Sequence, residues 1–176
     1  MRTEGTDGSV GSGREALRAL AERLLLEHTG ATGVVRLCPR CGGADHGRPL
    51  LTGAGPLPHV SLAYADGLVA LAWSHDGPVG VDVEREGPPV GTYGDREAWT
   101  RAEALLKHAG TGLAHDPRDG LPDDVPTHDL GAPDGYVGTV AGRGVSWRLA
   151  GPAAPGGRAA PVRRATPGTG RPGPAR

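Results

Sequence analysis

The chain has 176 residues, with three Trp, three Tyr and no Phe, so any core must rest on Leu, Val and Ala. The formal charge is −1, yet residues 151–176 hold five Arg and no acid, leaving 14 basic and 20 acidic residues, net −6, on residues 1–150. An acidic body excludes a nucleic-acid-binding domain, whose footprint is basic, and no apolar run reaches the roughly 20 residues of a membrane-spanning helix. The N-terminus lacks the apolar centre of a signal peptide, so a cytoplasmic location is expected. Gly (31) and Pro (17) exceed a quarter of the chain, which points to low-complexity segments. Lys107 is the single lysine among 19 basic residues, and its retention in an arginine-biased chain draws attention to it.

Residues 1–11 are polar and glycine-rich and are expected to be disordered. Ser12 with Glu15 forms a capping-box pattern, and Leu17, Leu20, Ala21, Leu24 and Leu25 follow helical periodicity up to Gly30 as a C-cap. A short strand is expected over 34–37. It leads into Cys38-Pro-Arg-Cys41-Gly-Gly-Ala-Asp45-His46-Gly47-Arg48-Pro49. Two cysteines this close do not make a disulfide framework. Cys38, Cys41 and His46 have the spacing of zinc ligands, but a zinc knuckle would place its fourth ligand at Leu51, leaving Asp45 or His59 as substitutes. The competing reading is a reduced cysteine pair flanking a glycine-rich loop, with Arg48 as an anion-binding group beside a rigid proline.

A β-meander is expected next, with strands over 60–64, 68–74 and 79–84 separated by Asp-Gly turns. The middle strand alternates poorly and should be covered on both faces. In the third, Val79, Val81 and Val83 alternate with Gly80, Asp82 and Glu84, so two carboxylates share one face about 7 Å apart, close enough to approach one hard cation. Asp95 is placed to cap a helix over 96–109 that Gly110 ends, with Trp99, Ala102, Leu106 and Ala109 as its apolar stripe. Glu103 and Lys107 stand i, i+4 on a neighbouring face, the spacing of an ordinary surface ion pair. Strands over 135–141 and 145–149 are expected to form a hairpin across Gly142-Arg143-Gly144. Residues 151–176 read as a flexible basic tail.

In combination, Gly-Val-Asp-Val-Glu at 80–84 and Trp-Thr-Arg-Ala-Glu-Ala-Leu-Leu-Lys at 99–107 resemble the 4′-phosphopantetheinyl transferases of the two-lobed Sfp type, which prime polyketide and nonribosomal peptide synthases. The His-Gly-Arg-Pro loop and Val-Ser-Leu at 60–62 add weaker matches, and the likeness covers about residues 14–150. It implies an α+β fold of antiparallel sheets packed with helices in two pseudo-symmetric lobes, the first about 12–84 and a reduced second about 96–150. It implies a monomeric holo-[acyl-carrier-protein] synthase acting on coenzyme A and a serine of an acyl or peptidyl carrier protein. Asp82, Glu84 and Glu103 would hold Mg²⁺; Glu103 and Lys107 would be catalytic; Arg48, Pro49, Tyr64 and Lys107 would contact coenzyme A. The chain departs from the family pattern at Ala63 and Tyr64, where Ser-His is common, at Ala102 in place of Lys, and in the 19 positions between Glu84 and Glu103. An inactive relative that binds coenzyme A or a carrier without transfer is the alternative, and a small zinc-binding interaction module centred on Cys38, Cys41 and His46 is a third reading.

Overall fold

The computed structural model describes residues 9–38, 41–44, 46–111, 116–151 and 161–166. Its elements in order are α1 (Ser9–Thr29), β1 (Gly33–Leu37), β2 (Arg48–Thr52), β3 (His59–Ala65), β4 (Leu68–Ser74), β5 (Gly80–Arg85), α2 (Arg96–Ala109), β6 (Thr127–Asp129), β7 (Tyr136–Ala141), β8 (Ser146–Ala150) and β9 (Arg163–Arg164). A short 3-10 turn, Pro117–Asp119, follows α2. The fold is α+β, and every strand pair is antiparallel. Among the described residues no helix is long and apolar enough to cross a membrane.

The strands form a β1-β2 hairpin, a sheet ordered β3-β4-β8-β9 and a sheet ordered β5-β7-β6. The two larger sheets face one another across Ala63, Ala70, Ala72, Val79, Val81, Val83, Val140, Trp147 and Leu149. Period-two alternation explains what happens on the other side of β4. Val69, Leu71 and Trp73 point away from that core and meet Leu17, Ala21, Leu24 and Leu25 of α1, so both faces of β4 are buried as its apolar sequence requires. On β5 the valines enter the inter-sheet core, while Gly80 and Asp82 lie beneath α2. The layers therefore run helix, sheet, sheet, helix.

Several local expectations are corrected. The strands over 68–74 and 79–84 do not form a hairpin: β4 pairs with β3 and β8, whereas β5 pairs with β7. The expected hairpin across Gly142 is also absent, because β7 joins β5 and β8 crosses to β4. At each turn the chain crosses from one sheet to the other, so that Ala70 and Ala72 of β4 meet the β5 valines, and Val140 of β7 meets Trp147 and Leu149 of β8, across the inter-sheet core. Arg48 and Pro49, which the sequence reads as part of a glycine-rich loop, instead open β2, where Pro49 pairs opposite Arg36 in a two-stranded hairpin that tolerates an absent donor. Residues 9–11 belong to α1 rather than to a disordered leader. In the C-terminal stretch, Arg163–Arg164 extend the sheet beside β8. On α2, Ala102 and Leu106 are buried as expected, while Trp99 is half-buried against Tyr93 and Ala109 is exposed.

Candidate functional site

The site is built where α2 crosses β5. Asp95 accepts a hydrogen bond from the Ala98 amide and starts the helix; Gly110, at φ +79°, ends it in the left-handed conformation. Gly80 permits the close approach: a Cβ there would sit 1.9 Å from the Ala104 carbonyl oxygen. Thr100, fully buried, meets Thr139 of β7 hydroxyl to hydroxyl at 3.2 Å. On the other edge of β5, the Val81 amide donates to Ser61 Oγ at 3.1 Å. A side-chain hydroxyl thus replaces the ladder bond missing where β3 and β5 part into separate sheets.

This packing carries Lys107 over Asp82. The ammonium donates to Asp82 Oδ1 at 2.6 Å and to the Val81 carbonyl at 3.1 Å, and lies 3.4 Å from Glu103 Oε2. Asp82 is 4% exposed, and its Oδ2 has no hydrogen-bond partner among the described residues. Burial pushes its carboxyl up to about 7, against the attraction of Lys107 and with further repulsion from Glu103 and Glu84. Glu84 is turned elsewhere: its Oε2 is 3.2 Å from Arg96. Among the described residues the one group of His, Cys, Asp and Glu whose ligand atoms all lie within 4.8 Å is Cys38, Cys41 and His46, so Asp82, Glu84 and Glu103 stand further apart than that.

Beside this cluster opens a cavity of about 330 Å³, lined among others by Arg36, Arg48, Pro49, Tyr64 and Lys107. The residues expected at a coenzyme A site therefore face one space, although they come from β2, β3 and α2. Arg36 was not singled out in the sequence; it donates to Tyr64 Oη at 3.2 Å and to the Gly47 carbonyl at 3.4 Å. The signal that would have found it is its register opposite Pro49, legible only once β2 is known. His108 follows Lys107 on α2 but is not among the residues lining the cavity. Burial lowers its pKa, with the charge of Arg48 acting in the same direction and Asp124 opposing, and its Nδ1 has no partner among the described residues. Three cations and no carboxylate line the cavity itself, which suits a phosphate-bearing ligand. A second groove, about 520 Å³ between α2, β6 and β7, carries Glu86, Asp95, Glu97 and Asp129 and would repel one.

No family model, no curated protein and no solved structure matches the chain. Its functional reading rests on its own residues. The fit of those residues to a magnesium ion can be judged from their surroundings. Asp82 Oδ2 is a buried acceptor without a donor, and Glu103 shares Lys107 with it; two carboxylates plus substrate phosphates and water are a common magnesium set. Glu84, tied to Arg96, does not join them. Asp45, weighed as a zinc ligand, lies outside the described residues.

Proposed function

We propose that this chain transfers the 4′-phosphopantetheine group of coenzyme A to a serine of an acyl or peptidyl carrier protein, on a 4′-phosphopantetheinyl transferase-like fold. The observation that carries the proposal is the single cavity shared by Arg48, Pro49, Tyr64 and Lys107, with Glu103 and Asp82 gathered around the ammonium at its side. Coenzyme A is an anion with an apolar arm, and the cavity offers Arg36, Arg48 and Lys107 for charge and Val60 and Leu62 for apolar contact.

In this reading Arg48 and Arg36 bind phosphate, and Tyr64 donates one hydrogen bond where the family often has a histidine. Glu103 accepts the proton of the attacking serine hydroxyl. That oxygen bonds to the β-phosphorus, the bridging phosphoryl oxygen leaves with 3′,5′-ADP, and Lys107 neutralises the charge it takes away. A magnesium ion held by Asp82 and Glu103 would supply further neutralisation of the pyrophosphate.

The test mixes the full chain with coenzyme A, Mg²⁺ and apo carrier proteins of several classes. A carrier gaining the mass of phosphopantetheine supports the proposal; a folded sample that modifies none overturns it. A second reading, binding without transfer, is favoured by the Glu84–Arg96 pair and by the Lys107 ammonium standing between Asp82 and Glu103. Calorimetry separates the two readings, because coenzyme A affinity without turnover leaves only the second.

A further inference from the structure

The loop between β1 and β2 holds chemistry that the cavity does not use. Cys41 Sγ lies 3.2 Å from His46 Nε2, and the ligand atoms of Cys38, Cys41 and His46 all fall within 4.8 Å of one another. A tetrahedral zinc centre with ordinary bond lengths needs sulfur–sulfur and sulfur–nitrogen separations of about 3.6–3.8 Å, so adjustments of about an ångström would close the set. The backbone is shaped for it. Gly42, at φ +71°, turns the chain; its amide donates to the Cys38 carbonyl at 2.8 Å, and the Cys38 amide donates to the Gly43 carbonyl at 2.9 Å. The Gly43 amide points at Cys41 Sγ at 3.4 Å, where it would stabilise a thiolate. The two sulfurs are not joined in a disulfide.

We propose that Cys38, Cys41 and His46 bind a zinc ion that closes the β1–β2 loop. Two thiolates and one imidazole match zinc in softness and balance its charge. Cys41 and His46 are exposed, so the ion enters from solvent and water takes the fourth position. The site also reaches the cavity. Gly47 follows His46 and packs so tightly that a Cβ would meet the Leu37 carbonyl oxygen at 2.4 Å; its own carbonyl is held by Arg36, and Arg48 comes next. Zinc would thereby fix the segment that carries Arg48 to the cavity rim.

The test uses the full chain, reduced and stripped of metal, with Co²⁺ as the spectroscopic probe. Tetrahedral d–d bands and a thiolate-to-cobalt charge-transfer band, both displaced by one equivalent of Zn²⁺, are expected. Cys41→Ser should remove about half of the charge-transfer intensity, leaving that of Cys38, and weaken zinc affinity by more than about tenfold; His46→Asn should weaken it similarly, and His59→Asn, outside the cluster, should not. An octahedral spectrum without a sulfur band, or unchanged affinity in Cys41→Ser with native circular dichroism, would overturn the proposal. No readout involves coenzyme A, so this site and the transferase reading fail independently.

Discussion

Asp82 is a carboxyl that folding removes from water and supplies with one ammonium, that of Lys107. In the folded chain it holds its proton up to about pH 7, whereas the unfolded chain releases it near 3.8. Between those values the native state binds the extra proton, so this group costs stability progressively as pH rises from about 4 to about 7. Asp82→Asn removes the titration, and Lys107 keeps the Val81 carbonyl and Glu103 as partners. Denaturant melts in EDTA should show the variant gaining on the parent with pH, by on the order of a few kcal/mol at pH 8 relative to pH 4. A difference that is flat with pH would refute the assigned cause. Ser61 is the neighbouring case of a polar side chain at a structural seam. Ser61→Ala leaves the buried Val81 amide without its acceptor and should cost about 1–3 kcal/mol by chemical denaturation. Ser61→Thr keeps a hydroxyl at this position and should cost less.

The contact between α2 and β5 sets the position of every reactive group on the helix. Gly80 fixes its height. In Gly80→Ala the new methyl must displace Ala104 and His108 backbone atoms, and α2 has to lift from the strand. The expected destabilisation is about 1–3 kcal/mol or more, measured by urea melts. Because the same lift moves Lys107 away from Asp82, the proposed function requires coenzyme A affinity to fall in calorimetry even at temperatures where the variant is folded. Retained affinity would show that the cavity does not depend on this contact. The helix is also held by Thr100 against Thr139 and by Arg101 Nη1 against Thr127 Oγ1 at 3.0 Å, so the lift is resisted along its length.

At the scale of the molecule, two helix-covered sheets share one inter-sheet core made of small and branched side chains, with Trp147 its largest member. Alanines at 63, 70 and 72 leave the sheets little to interdigitate, so Trp147 and the valines fill the space. Trp147 also donates from its indole to the Leu130 carbonyl at 3.1 Å, which fixes the loop after β6. β9 covers the outer edge of β8, whose other edge is paired with β4. A chain ending at residue 151 loses that cover and exposes unpaired strand groups. Sedimentation should show more self-association than the full chain, while the cavity, which lies among β1, β2, β3 and α2, is left intact. Equal association states would assign β9 no protective part.

The sequence by itself determined the elements whose signal is local. Leucine spacing marked the buried face of α1. Asp95 and Gly110 bounded α2, and the unbroken apolar run of β4 announced burial on both faces. Chemistry concentrated in short motifs was equally legible: Asp82 and Glu84 on one strand, Glu103 and Lys107 on one helix, Cys38, Cys41 and His46 in one loop. Tertiary structure decided which of these meet. Alternation says that Asp82 and Glu84 share a face, but it does not say that Arg96, twelve residues on, takes Glu84 while Lys107 takes Asp82. Turn sequences suggest hairpins at 75–78 and 142–144, yet there the chain crosses between the facing sheets and the apolar faces of successive strands meet across the core. Pairing partners are chosen by burial summed over the whole core, and no single stretch of sequence carries that sum.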